Sequence, residues 1–139
     1  MKYQPIAAIR GRPENDDYNE LSDIPLTVKF AEKPYSKEQP QIRVDLQIDF
    51  RSVEFKNSGS THECRLRIAA FYIDAKGKML ASNGRVLEGQ LKDETYYQAL
   101  QSGVSISLTV PLKSPKQVLK VVVYDELSDK AGSRIIRSP

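Results

Sequence analysis

His62, Cys64 and the acidic run Glu14-Asn15-Asp16-Asp17-Tyr18-Asn19-Glu20 are the places in this 139-residue chain where side-chain chemistry could concentrate. His62 is the sole histidine. A proton shuttle needs a base, an orienting group and a nucleophile in one place. His62 has no such partner near it in the sequence and falls in a turn ahead of a strand, so it reads as a solvated loop residue. Cys64 shares a strand face with Leu66 and Ile68, which is the setting of a small buried hydrophobe and not of a reactive thiolate. The acidic run 14–20 offers oxygen donors of the kind calcium takes, but it lacks the spacing and the glycine of a calcium-binding loop, so a solvated run is the simpler reading. Asp125-Glu126-Leu127-Ser128-Asp129 has the composition of a turn that needs no ligand.

Larger classes of chemistry fall on counting alone. One cysteine excludes an intramolecular disulfide and a thiolate-rich zinc or iron-sulfur centre, and one histidine leaves no pair to hold a metal. There is no glycine-rich dinucleotide loop, Walker-type phosphate loop, Gly-x-Ser-x-Gly elbow or His-Glu-x-x-His helix. Arg65 and Arg67, with Arg43 and Lys29, alternate with acidic neighbours such as Asp45, Asp49 and Glu63, the pattern of solvated strand faces. With 21 Lys and Arg against 18 Asp and Glu the net charge is +3, too small and too mixed for a phosphate-tracking surface. The expectation is no catalytic residue, no metal ligand, no cofactor, no nucleic-acid partner and no small-molecule ligand. The N-terminal apolar patch ends after four residues, at Ile9, short of the roughly 7 to 15 of an export signal. No run approaches the roughly 20 apolar residues of a membrane-spanning helix.

The elements that would position these side chains are mostly strands. Residues 1–21 carry Pro5, Gly11 and Pro13 and no sustained period, so they read as an arm or linker, with one domain over 22–139. Leu26, Val28 and Phe30 alternate with Thr27 and Lys29; Ile42, Val44, Leu46, Ile48 and Phe50 alternate with polar residues still more cleanly. A phase break at Arg51-Ser52 predicts a bulge or a corner between sheets. A turn at 57–60 precedes a strand with Cys64, Leu66, Ile68, Ala70 and Tyr72 on one face. Its other face is also apolar from Ala69 onward, which predicts a central strand. Asp74 to Lys78 predicts a hairpin turn, and Met79 to Val86 a returning strand that Asn83-Gly84 could kink. Asp93 to Gly103 is the single helical signal, with acidic residues in its first turn and glycine at its end. Strands follow at Val104 to Val110 and Val118 to Tyr124, then a loop from Asp125 to Gly132 and a short strand at Ser133 to Arg137. The sum is an all-β antiparallel sandwich of seven or eight strands with one short helix, of immunoglobulin-like size.

Several segments, in order, resemble one family. Ser22-Asp23-Ile24-Pro25-Leu26-Thr27-Val28 and the hairpin Phe71-Tyr72-Ile73-Asp74-Ala75-Lys76-Gly77-Lys78 are similar to the C-terminal region of bacterial secreted proteins called von Willebrand factor A-related, of the type common in Acidobacteria. So are Tyr96 to Gly103, Leu119-Lys120-Val121-Val122-Val123-Tyr124-Asp125 and Lys130-Ala131-Gly132-Ser133. The resemblance implies an accessory immunoglobulin-like sandwich behind an adhesion-type domain in an exported protein, with residues 1–21 as the connecting segment. The namesake domain binds a divalent metal through Asp-x-Ser-x-Ser; that string does not occur here, so neither its metal nor its ligand is implied. Two roles follow as expectations. One is a non-catalytic structural or protein-interaction module, partnered by another protein or an adjoining domain. It would be extracytoplasmic if cut from an exported precursor and cytoplasmic if the chain is complete as given. The alternative is a carbohydrate-binding or enzyme-accessory sandwich that stacks sugars on Tyr35, Tyr96, Tyr97 or Tyr124.

Overall fold

Alternating apolar residues bury one face of the strands Leu26–Phe30 and Gln41–Ile48, whereas Thr61–Ile73 and Val118–Asp125 are buried on both faces over most of their length and the short Lys56–Ser58 is exposed throughout. The computed structural model describes residues 20–30, 41–73, 76, 78–111 and 118–137. In chain order the elements are β1 (Leu26–Phe30), β2 (Gln41–Ile48), a 3₁₀ turn (Phe50–Ser52), β3 (Lys56–Ser58), β4 (Thr61–Ile73), β5 (Met79–Lys92), helix α1 (Asp93–Ser102), β6 (Val104–Pro111), β7 (Val118–Asp125) and β8 (Lys130–Arg137). One sheet has the order β1-β2-β6. In the other, β5 lies along one side of β4; β7, and β3 at the start of β4, lie along its other side, and β8 flanks β7. Every pairing is antiparallel.

The inward faces meet in one core. Val44, Leu46 and Ile48 of β2 stand opposite Leu108, Ile106 and Val104 of β6 in register, and Leu66, Ile68, Ala70 and Tyr72 of β4 supply the facing layer with Leu119, Val121 and Val123 of β7. Each large side chain so buried contributes about 1.5 to 3 kcal/mol. The phase break is a corner: Asp49 accepts a hydrogen bond from the Arg51 amide (3.0 Å), Phe50 is buried, and the chain passes from the first sheet to the second. Gly59 makes the β3–β4 turn at a φ of 63°.

Three expectations need correction. The returning strand does not stop at Val86, because the ladder with β4 continues to Thr61↔Lys92 whatever the side-chain pattern. Asn83-Gly84 does not kink it; the register shift comes at Tyr72/Ile73. The last strand begins at Lys130 and not at Ser133.

The open sides of the sandwich are bridged by side chains that donate to backbone carbonyls across the gap. Arg134 Nε donates to Leu26 O (2.9 Å), and Asn83 Nδ2 to Thr109 O (2.6 Å). Groups on strand edges that would otherwise attract another chain are partly occupied in this way. The chain entering β1 first runs along β8. Leu21 N donates to Ser133 Oγ (2.8 Å), Ser133 N to Leu21 O (2.9 Å), and Ser22 bridges Gly132. It then crosses to the other sheet, where Pro25 O accepts from Asp49 N (3.0 Å). Gly132 permits this approach, since a Cβ there would lie 1.9 Å from Ile24 O.

Candidate functional site

Helix α1 joins the two sheets and brings together the residues with the most chemistry in them. Its first turn carries Asp93 and Glu94, where the helix dipole favours carboxylates, and Gly103 ends it at a φ of 72°. At the N-terminal end, β4 presents His62 beside it. His62 Nε2 lies 2.8 Å from Asp93 Oδ1, Nδ1 lies 2.5 Å from Asn57 Oδ1 on β3, and the imidazole stacks on Tyr96 with ring centroids 3.7 Å apart. Tyr96 also takes Phe55 edge-on at 4.9 Å, and Phe55 contacts Phe50 at 6.0 Å.

This overturns the solvated-loop reading of His62. It sits in a strand and is buried, with both ring nitrogens engaged. One partner, Asn57, is only five residues away, brought opposite by the β3–β4 hairpin; Asp93 is 31 residues away and comes only with the long β5. A carboxylate–imidazole pair resembles half of a proton relay. Here, however, the second nitrogen is held by Asn57 and one ring face by Tyr96, so the arrangement binds the helix to the hairpin.

At the other end of α1, Gln47 Nε2 donates to Ser102 O (2.6 Å). Between this end and the ends of β1 and β2 lies an open groove of about 290 Å³, lined by Pro25, Thr27, Gln47, Arg51, Gln101 and Arg134 among others. Its guanidinium groups already have partners. Arg51 pairs with Asp49 (3.0 Å) and Arg134 with Glu20 (3.0 Å). The Arg51 side chain and amide together hold the Asp49 carboxyl below its usual range.

The remaining charged positions build contacts within the fold. Arg67 is only 6% exposed, contrary to the solvated-face reading, and its Nε donates to Glu126 (2.8 Å). Arg65 bridges Glu126 and Glu88. Burial pushes the Glu126 carboxyl up, but the hydrogen bonds from Arg67 and Arg65 outweigh it, and the net displacement is downward. Asp125 ties the turn after β7 by accepting from Glu54 N (2.8 Å), Leu127 N (3.1 Å) and Ser128 Oγ (2.8 Å). Cys64 is buried, as its strand face predicts, and burial pushes its thiol pKa up.

Of the acidic run, residues 14–19 lie outside the described residues, as does Tyr35. Glu20 accepts from Ile135 N (2.9 Å) and from Arg134; the backbone bond from Ile135 is the main cause of its lowered pKa. Among the described residues no group of three His, Cys, Asp or Glu side chains is placed to hold a metal ion, and no helix is long and apolar enough to cross a membrane. The candidate stacking tyrosines separate: Tyr96 is packed, Tyr124 donates to Asp129 (2.6 Å), and Tyr97 is 60% exposed.

No protein-family model matches the chain, and no curated protein does. Among solved structures, it is similar to hypothetical protein PH1083 from Pyrococcus horikoshii OT3, with 7% identity and a TM-score of 0.41 over 88% of this chain and 92% of that one. It is also similar to Northeast Structural Genomics Consortium target SoR45, with 14% identity and a TM-score of 0.34 over 81% of this chain and 80% of that one.

Proposed function

We propose that the chain is a non-catalytic immunoglobulin-like sandwich module, structural or protein-binding in role, from an exported bacterial protein of the von Willebrand factor A-related kind. The observation that carries the non-catalytic part is the use made of its reactive groups. His62 and Asp93 pin the helix, Asp125 ties a turn, Arg65 and Arg67 are locked on Glu126, and Cys64 is in the core. The immunoglobulin-like part is supported by strand order, three strands β1-β2-β6 against the five strands β3, β4, β5, β7 and β8, with the chain changing sheet between β2 and β3, β5 and β6, and β6 and β7. The exported origin rests on the sequence resemblance alone. A partner would meet the helix-bearing end, where Tyr97 offers an exposed aromatic face beside the charged side chains Asp93 and Glu94.

The reading frame upstream of the Met1 codon tests the assignment. An in-frame segment encoding an Asp-x-Ser-x-Ser domain is the expected finding, and a stop codon directly upstream would overturn the exported-module reading. The carbohydrate alternative needs a row of exposed aromatic rings. Tyr97 alone meets that need among the described tyrosines, and affinity electrophoresis in polysaccharide gels is expected to show no retardation.

A further inference from the structure

The second half of β5 is a sheet edge that meets no further strand among the described residues. Which of its backbone groups face outward follows from one hydrogen bond on the far side of β4. Arg65 O accepts from Glu126 N (3.1 Å), so Arg65 directs its amide and carbonyl toward the β7 side. That direction alternates from residue to residue along an antiparallel strand. His62, Cys64 and Leu66 therefore direct theirs toward β5, where their register partners are Leu91, Gly89 and Leu87. The alternate residues Val86, Glu88 and Gln90 are left with both backbone groups pointing outward, and Lys92, the N-cap of α1, with its N–H; all four are exposed. Other edges of the sandwich are occupied at several points. Leu26 O on β1 accepts from Arg134, Ser107 O and Thr109 O on β6 accept from Arg85 and Asn83, and Ile135 N on β8 donates to Glu20.

We propose that the β5 edge from Glu88 to Lys92 pairs with the same edge of a second copy of this chain, antiparallel about a twofold axis at Gln90. Two requirements select this register. Outward-facing backbone must meet outward-facing backbone, and like charges must not stand opposite each other. Centring on Glu88 sets two carboxylates face to face. Centring on Gly89 sets Glu88 against Gln90 and Val86 against Lys92. Centring on Gln90 sets Glu88 of each copy against Lys92 of the other and makes two opposite-charge pairs. Glu88 bonds Arg65 but keeps its side chain 57% exposed, and the Lys92 side chain makes no capping bond to α1. The same register lays Val86, 45% exposed, beside Glu94 at the start of the second copy's helix, one turn from its Tyr97. Two of the three exposed large hydrophobic residues thereby come to one interface, and the two five-stranded sheets run on into each other.

Sedimentation velocity of the full chain over a rising concentration series tests this. The expected dimer is weak, since so short an edge buries less than a standard interface. Gln90→Cys is expected to cross-link to itself on air oxidation, because directly paired residues hold their Cα atoms about 5.5 Å apart. Glu88→Cys and Lys92→Cys are expected to cross-link only when the two are mixed, with buried Cys64 taking no part. Lys92→Glu is expected to weaken association about tenfold, and mixing it with Glu88→Lys to restore it as a heterodimer. Gln90→Pro removes an outward N–H and none of the bonds to β4, so it is expected to abolish the dimer and leave the fold intact. A protein that stays monomeric throughout the series overturns the proposal, and slow amide exchange at Glu88 and Gln90 in that monomer would assign the edge to another part of the same chain. Self-cross-linking of Glu88→Cys, or a dimer indifferent to both Lys92→Glu and Gln90→Pro, overturns it as well.

Discussion

The His62 imidazole and the Asp93 carboxylate, 2.8 Å apart, fasten the first residue of the helix to the central strand of the larger sheet. The same ring lies flat on Tyr96, one turn further along the helix. Lys92 at the N-cap makes no side-chain capping bond, so this pair holds the helix start where a serine or aspartate cap otherwise would. A double-mutant cycle with His62→Gln and Asp93→Asn should give a coupling of about 1 kcal/mol in urea denaturation. Additive losses from the two changes would mean that the contact contributes nothing.

Tyr72 should behave oppositely to most core residues. Its hydroxyl is buried with no hydrogen-bond partner among the described residues, and burial raises its pKa from 10.0 to about 12. Tyr72→Phe removes an unsatisfied polar group and is expected to stabilise the fold by about 1 kcal/mol. The folded state keeps the phenol protonated after the unfolded chain has lost its proton, so on account of this group the parent's folding stability is at its full value below pH 10.0 and falls as pH rises toward about 12. Alkaline denaturation of Tyr72→Phe should lack that component.

Glu126 governs the acid side. Its folded pKa lies below the ordinary 4.5, so its contribution is present above that value and is lost as pH falls through the folded value. Glu126→Gln leaves Arg67 buried without its carboxylate and should cost about 3 kcal/mol at neutral pH. Its stability should also fall less steeply than the parent's below pH 4.5. Chemical denaturation at a series of pH values measures both effects.

Two glycines should differ sharply when replaced by alanine. At Gly59 a Cβ meets open space, and the cost is confined to the positive φ, roughly 1 kcal/mol. At Gly132 a Cβ would collide with Ile24 O, so the entering chain must leave β8, and a loss of about 3 kcal/mol or more is expected. Hydrogen exchange at Ser133, whose amide bonds Leu21, should accelerate in Gly132→Ala and not in Gly59→Ala.

Period-two alternation made β1, β2, β4 and β6 readable, because each has one face in the core; β7 was readable as a β-branched apolar run, and the helix from its acidic start and its glycine end. The second half of β5 was not, since Glu88, Gln90 and Lys92 are exposed and its strand state follows from the β4 ladder. His62 was misplaced for a related reason: β4 begins before its apolar stretch, so a strand residue resembled part of a turn. Arg67 looked solvated because its carboxylate partner is 59 positions away. Local pattern encodes which face is buried, whereas polar partners are chosen by the assembled topology.

Leu21 and Ser133 exchange two hydrogen bonds across 112 positions of sequence. That separation sets an order of events during synthesis. Leu21 is made before β8 and cannot reach Ser133 until β8 has been made. Contacts of such high order are slow to form, so the nascent domain carries an incomplete edge through most of its translation, and closing it is the final step of folding.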